Sequence, residues 1–342
     1  MNKWLDINLP IIGLSPMADL TDLPFSILVR EVSKDLYKKL NIPPNILYDK
    51  NFFGPIIFRE MVSANAVVMK NEKTLGMIEL SDVEFPVVQQ IVGNDPVVIS
   101  EAAKIIIEKS NPFGIDINMG CPSKKINQNG SGAALLNTPD LASKIVKSVK
   151  KSVGDVPLSV KIRMGWSDPS GIIDFVKMLQ DSGCDLISVH GRTRSQGYSG
   201  ISDWSVIREI KNAVDIPVLG NGDIFDENSA LEKLSVSNVD GVLIGRGALG
   251  NPWLFANIAF ASLNQGSHSQ NTLSLNDRID VVLRHLDLHM KHYGPKGYIT
   301  FKKHIVFYFK GIDLPNAKKL RTSLVTTNND KEIREILRSL KV

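Results

Sequence analysis

GIDINMGCPSKKINQNGSGAALL, running from Gly114 to Leu136, reads as a short buried strand that delivers polar residues into a loop. The strand, Gly114 to Asn118, places polar Asp116 and Asn118 on one face, because side chains in a strand alternate between faces. Gly120-Cys121-Pro122 then breaks it, since proline removes a backbone donor and is excluded from helix interiors and central strands. Cys121 is therefore a loop residue at a strand end, where α/β folds present functional groups. It is equally readable as a small apolar loop residue, because free cysteines are commonly buried and inert. A basic, glycine-rich loop and a small-residue run complete the stretch.

Outward from this stretch the same grammar repeats. Short apolar runs end in glycine or polar residues and precede longer helical patterns: Ile11–Met17, Phe58–Ser63, Pro86–Val92, Gly114–Asn118, Pro157–Arg163, Asp185–His190, Ile216–Asn221 and Asp240–Gly245. Helical periodicity occupies Asp95–Lys109, Pro139–Val153 (with Thr138 as N-cap), Ile172–Ser182 and Trp204–Ala213. Eight β-then-α units in about 250 residues predict a (β/α)₈ TIM barrel. A doubly wound sheet is the alternative, but it gathers functional residues at one switch point, whereas here nearly every strand ends in them.

Two segments stand outside the barrel grammar. Leu36–Pro55, rich in Lys, Asn and Pro, is expected as an insertion on the barrel rim. Beyond a polar linker, Leu263–Ser274, the patterns Leu275–Tyr293, Tyr298–Lys310, Pro315–Leu324 and Asp330–Leu340 predict a small helical bundle. The expected division is a barrel over residues 1–262 and a helical domain over 263–342.

Composition fits this reading: 43% hydrophobic and 22% charged residues are ordinary for a globular chain of 342 residues. Two cysteines supply no disulfide framework and suit a reducing compartment. The apolar run Leu9–Met17 is broken by Pro10 and Pro16 and too short for a signal peptide or membrane span, so a cytoplasmic protein without membrane contact is expected. The net charge of +4 is unevenly spread: residues 262–342 carry 14 Lys and Arg against 7 Asp and Glu. A basic C-terminal segment on a mildly acidic body suits a polyanion, although on charge alone a solvated helical face is the more economical reading.

Barrel active sites form at the carboxyl ends of the strands. Those ends offer Pro16-Met17-Ala18, Gln90, Asn118 with Cys121, Lys161 with Arg163, His190 with Arg192, Asn221-Gly222-Asp223 and Gly245-Arg246. Lys161 lies inside an apolar strand, where an unpaired ammonium is costly. It could equally be paired with a barrel carboxylate, and His190 with its neighbouring loop; Cys184 reads as core. Gly245-Arg246-Gly247-Ala248-Leu249-Gly250 matches a dinucleotide fingerprint, yet no acid occurs between Gly250 and Asp277 and no strand follows. It is read as a phosphate cradle for a mononucleotide.

These pieces resemble the tRNA-dihydrouridine synthase family, in its bacterial B-type branch. The resemblance is carried by SPMADLTDLPF, QIVGNDP, DINMGCPSKKINQNGSGAALL, VKIRMGW, VHGRTRSQGYSGISDW, NGDI and IGRGALGNPWLF, and more weakly by GPKGYITFKKHIVFYFKG. It implies an FMN-binding barrel followed by a tRNA-binding helical domain. Pro16, Met17, Ala18 and Gln90 would line the isoalloxazine; Lys161 and His190 would contact flavin or uracil. Asn221, Gly222, Asp223, Gly245 and Arg246 would hold the ribityl phosphate. NADPH, or NADH, would supply electrons, hydride would reach C6 of a uridine, and Cys121 would protonate C5. Asn118 could orient the base. Arg163, Arg192, Arg194, Lys302 and Lys303 would serve the tRNA, with Lys318, Lys319 and Arg321 beside them.

The chain departs from the family pattern at Asp19 (a usual Gly), Leu23 and Lys302 (a usual Arg) and Phe307 (a usual Trp). A monomer without a metal site is expected. Two other readings compete: a barrel flavoprotein acting on a free pyrimidine, akin to dihydroorotate dehydrogenases, and an RNA-binding protein whose flavin is structural.

Overall fold

The strands close on themselves. In the computed structural model, which describes residues 2, 4, 7, 10–42, 54–264, 266, 273–312, 314 and 316–341, eight parallel strands pair in sequence order into a barrel. They are β1 (Ile11–Leu14), β2 (Ile56–Ser63), β3 (Val87–Val92), β4 (Gly114–Met119), β5 (Leu158–Arg163), β6 (Leu186–His190), β7 (Val218–Asn221) and β8 (Gly241–Ile244). β8 returns to pair with β1, Ile11 opposite Gly241.

Alternation along these strands sorts the residues. Ile115, Ile117, Met119, Val160, Ile162, Ile187 and Val189 belong to the apolar layer shared with the surrounding helices. A separate apolar cluster joins Trp4, Ile11, Ile56, Phe58, Val88, Leu186, Leu219 and Leu243. It plugs the amino-terminal end of the barrel, where Trp4 stacks on Phe58 at 6.0 Å and meets Phe113 edge-on at 5.1 Å. Each such side chain contributes about 1.5–3 kcal/mol on burial.

Above the plug the interior turns polar, and strand register sets the levels. Gln90 pairs with Asp116 and Asp116 with Ser159; Asn118 pairs with Lys161 and Lys161 with Ser188; Arg163 pairs with His190 and His190 with Asn221. Residues far apart in sequence thus share a tier because parallel strands are locked in register.

Local chemistry places the helices. Pro96–Ser110 starts on Asp95, whose carboxylate accepts the Val97 and Val98 N–H groups, and ends on Asn111 in the left-handed conformation (φ 44°). Trp204–Ala213 is capped by Asp203 in the same way. Pro139–Val153 begins where expected, but the Thr138 side chain makes no capping bond. Pro139 at the first helical position fixes the start instead. β1 is shorter than expected: it stops at Leu14 because Thr21 bonds back to the Ser15 carbonyl (2.9 Å) and receives the Met17 N–H (3.1 Å), curling Pro16–Ala18 into a loop.

Leu36–Lys39, expected within the rim insertion, is instead the last turn of the helix Leu23–Lys39. Residues 43–53 of that insertion, and most of the expected linker, lie outside the described residues. The C-terminal helices run Leu275–Tyr293, Gly297–Tyr308, Ala317–Thr326 and Asp330–Arg338, every end within two residues of its expected bound. Among the described residues no helix is long and apolar enough to cross a membrane.

Candidate active site

A cavity of about 860 Å³ opens at the carboxyl ends of the strands. It gathers Pro16, Met17, Ala18, Gln90, Asn118, Cys121, Lys161, Arg163, His190, Asn221, Gly222, Asp223, Gly245 and Arg246, all of which the sequence had singled out.

One wall is a hydrogen-bond chain rising from the barrel. Ser159 donates to Asp116 at 2.6 Å, Gln90 donates to the other Asp116 oxygen at 2.6 Å, and Asn118 donates to Gln90 Oε1 at 2.7 Å. Asn118 Oδ1 then accepts the backbone N–H groups of Gly120 (3.1 Å) and Cys121 (2.8 Å). The Cys121 loop is further tied by Asn127, which donates to the Cys121 carbonyl at 2.9 Å. Its half-buried side chain lines the cavity. Burial pushes the Asp116 carboxyl up to about 6, against the pull of Gln90, Ser159 and Lys161.

The adjoining wall is cationic. Lys161 donates to Asn221 Oδ1 at 3.0 Å, while Asn221 donates to the Leu243 carbonyl at 2.7 Å. Burial, reinforced by Arg163, brings Lys161 down to about 8. His190 is lowered to about 2 by burial and by Lys161, Arg163, Arg192 and Arg246, so it is a neutral imidazole. Its Nδ1 is buried without a hydrogen-bond partner.

The far end is shaped by close backbone approach. Gly222 has φ +123°, and a Cβ there would lie 2.1 Å from Ser202 Oγ. The three glycines of the fingerprint-like turn divide their roles. A Cβ at Gly245 would make ordinary contacts with Met17 and Ser15 beside the cavity; at Gly247 it would strike the Ile224 carbonyl at 2.2 Å; at Gly250 it would strike the Phe307 backbone at 2.3 Å. Arg246 lies 5.0 Å over the Tyr198 ring and forms a long ion pair, 3.7 Å, with Asp223; at 45% exposure its guanidinium still reaches the cavity, where an anion can bind it. Exposed backbone, two cations and uncommitted polar groups suit an anionic mononucleotide cofactor.

Other residues expected to meet substrate are committed elsewhere. Arg163 lines the cavity but donates to the carbonyls of Gly120, Thr193 and Gly197. Arg192, 3% exposed, lies off the cavity: it bonds Ser199, Ser202 and Gly200 and grips both Asp223 oxygens at 2.9 and 2.8 Å. Burial works to raise the Asp223 carboxyl, but Ser202 and Arg192 hold it below its usual range. Arg194 donates to Asn127 and covers Trp166 at 4.5 Å. Lys302 donates to the Thr327 carbonyl, and Lys303 lies 3.7 Å from Asp22. In place of these cations, Met61, Tyr198, Phe225, Phe307 and Lys310 line the cavity. Tyr198 sits inside a quoted motif, but aromatic identity alone does not say that it faces a cavity. Asp19 donates its N–H to Glu60 and adopts φ 61°, a left-handed conformation that suits the glycine expected there from the family resemblance.

A family model described as "Dihydrouridine synthase (Dus)" matches residues 13–341. The "tRNA-dihydrouridine synthase B" of Pasteurella multocida is 36% identical over 308 residues, 89% of this chain and 85% of that protein. The "Probable tRNA-dihydrouridine synthase" of Rickettsia conorii is 36% identical over 326 residues, 94% and 90% of the two chains. Among solved structures, a 2-naphthoyl-CoA reductase complex superposes with a TM-score of 0.52 at 12% identity, covering 73% of this chain and 49% of that one. The histamine dehydrogenase from Rhizobium sp. 4-9 gives 0.52 at 11%, covering 82% and 49%. This chain thus spans about half of each of those structures, and at such identity the likeness concerns the fold alone.

Proposed function

Because the chain belongs to the dihydrouridine synthase family, we propose that it reduces the C5=C6 bond of a uridine in tRNA to 5,6-dihydrouridine, with FMN at the barrel mouth. The observation that carries this reading is the single cavity lined jointly by Cys121, Lys161, His190 and the Gly245-Arg246 turn. NADPH is the electron donor, as the family resemblance implies.

FMN, when bound, supplies hydride chemistry that no side chain here can perform. The chain's own residues do the rest. Pro16–Ala18 and Gln90 line the ring system; Asn221, Gly222, Asp223, Gly245 and Arg246 take the ribityl phosphate. Asp223 can sit beside that phosphate because Arg192 already neutralises it. Lys161 supplies positive charge to the flavin, and neutral His190 supplies a hydrogen-bonding ring nitrogen. Cys121 holds the proton that is delivered to C5, as a positioned general acid, while Asn118 fixes the loop that carries it.

A uridine must leave its stack to enter such a cavity. The exposed Lys124 and Lys125 behind Cys121, Lys310 at the mouth, and Lys318 and Lys319 beyond it are available to phosphates. We read residues 1–262 as the catalytic barrel and 263–342 as the tRNA-binding part. The reading is of a monomer in a reducing cytoplasm, the compartment supported by two free cysteines.

The test is anaerobic flavin reoxidation. Reduced protein is mixed with tRNA from cells lacking dihydrouridine, with mature tRNA, or with free uridine. Rapid reoxidation by the first alone is expected. Reoxidation by free pyrimidine would replace the tRNA reading with a small-molecule reductase, and indifference to all three would leave a non-catalytic flavoprotein.

A further inference from the structure

Away from the cavity, three histidines converge where the C-terminal helices meet the first barrel helix. His285 and His289 sit one turn apart on the helix Leu275–Tyr293, and His304 lies on Gly297–Tyr308. Their exposures are 0%, 0% and 1%. One ring nitrogen from each lies within 4.8 Å of the others. The Nε2 atoms of all three are buried with no hydrogen-bond partner. Asp22, 1% exposed, points Oδ2 at the group, 3.9 Å from His289 Nε2 and 4.0 Å from His304 Nε2.

Hydrogen bonding on the far side of the rings sets the state of one of them. The Thr300 hydroxyl lies 2.8 Å from the Gly297 carbonyl and 3.0 Å from His289 Nδ1. With its proton on the carbonyl it accepts from His289 Nδ1–H, the tautomer that turns the Nε2 lone pair inward. His285 Nδ1 is likewise engaged, by the Tyr308 hydroxyl at 3.0 Å, leaving its Nε2 for the cluster. An imidazole whose outer nitrogen is held by a polar group, with the inner one free, is the arrangement metal-ligating histidines use.

Buried lone pairs aimed at one another without a proton or ion between them are costly.

We propose that His285, His289 and His304, with Asp22 as the anionic fourth ligand, form a structural site for a divalent transition-metal ion of the zinc class. Three imidazoles and one carboxylate suit zinc, and a set closed by four protein ligands is the structural rather than the catalytic pattern. Ligands about 2.0–2.1 Å from a tetrahedral ion stand about 3.3 Å apart, so nitrogens now up to 4.8 Å apart close by up to about 1.5 Å on loading. Two other groups touch the same carboxylate oxygen: Tyr293 donates to it at 3.1 Å and Lys303 lies 3.7 Å away. They form its outer partners, and the repulsion between Lys303 and the ion tempers the affinity.

Asp22 follows Pro16–Ala18 by only four residues, and its Oδ1 caps the helix Leu23–Lys39 through the Phe25 N–H. The ion would therefore staple the C-terminal helices to the loop that lines the cavity. No metal site was expected from the sequence; the only sequence signal is the four-residue spacing of His285 and His289, which says nothing of His304 or Asp22. The inference does not depend on the proposed reaction.

The test uses the full-length protein. Metal content is measured by mass spectrometry as purified, after stripping with dipicolinate, and after reloading with Zn²⁺ or with Co²⁺ as a visible-absorbing probe. About one equivalent per chain is expected in the wild type and in His292→Ala, with a tetrahedral Co²⁺ spectrum, falling below about 0.1 in His289→Ala and His304→Ala. Should those variants not fold, the stripped and reloaded wild type still decides, with Tm expected to rise about 5 °C on reloading. A wild type that takes up neither ion at micromolar concentration, or uptake unchanged in the histidine variants, overturns the proposal.

Discussion

Asn118 Oδ1 accepts the Cys121 backbone N–H at 2.8 Å, so the thiol at the mouth of the cavity is positioned by a strand residue inside the barrel. The bond is backed by Gln90 and Asp116, both essentially buried. Asn118→Ala should therefore lower kcat by about 10–100-fold while flavin content stays near stoichiometric, as expected when a general acid loses its alignment. Single-turnover rates read beside bound-flavin absorbance check this. Loss of flavin in step with activity would assign Asn118 to cofactor binding instead.

On the proposed mechanism, removing the thiol separates proton delivery from binding. Cys121→Ala should bind FMN and tRNA as the wild type does and lose at least about 10²-fold in flavin reoxidation by tRNA. Wild-type turnover in this variant would remove Cys121 from the reaction.

Arg192 was expected to grip tRNA, but its donors are spent on Asp223 and on loop carbonyls. Asp223→Ala leaves the buried Arg192 charge without its partner and should cost on the order of 3 kcal/mol in urea unfolding. Arg192→Ala should likewise act on stability and flavin retention, leaving the salt dependence of tRNA affinity unchanged.

Lys161 gives a pH signature of known sign. Its ordinary value of 10.5 falls to about 8 in the folded chain. Between these values the unfolded chain holds a proton that the folded chain has released, so stability of the flavin-free protein rises with pH across that window. Affinity for anionic FMN, which draws on the ammonium, should fall above pH 8, approaching about tenfold per pH unit. Lys161→Met should flatten both profiles. Flavin-fluorescence titrations and urea melts from pH 7 to 10 check them separately.

Lys310, exposed and at the cavity mouth, should replace Lys302 and Lys303 as a phosphate contact. Lys310→Ala should weaken tRNA binding and reduce the slope of log K against log salt by about 1, whereas Lys302→Ala, which loses a bond to Thr327, should leave the slope alone.

The barrel was legible because its signal is periodic and redundant. Each strand is a short apolar run closed by glycine or polar residues, and an error at one end, as at Met17, does not disturb the other seven. The cavity was legible for a related reason: closure of a parallel barrel carries every strand end to one face, so reading those ends together anticipated Gln90, Lys161, His190 and Asn221. Pairing was not legible. A sequence shows that Arg192, Lys302 and Lys303 are cationic, but their partners at Asp223, Thr327 and Asp22 are set by loops and helix packing that no spacing encodes. The Thr138 side chain makes no cap for a simpler reason: Pro139 alone suffices to start that helix.

Gly250 pressed against the Phe307 backbone, with Arg278 bonded to the carbonyls of both Gly250 and Tyr308, has a consequence for protein engineering. Phe307, Lys310 and Gly311 form part of the cavity wall itself. The C-terminal helices are thus not a detachable RNA-reading module on a self-sufficient enzyme. Cutting the chain after the barrel would unroof the reaction chamber, and a chimera that borrows these helices from a relative would inherit a different chamber along with a different grip.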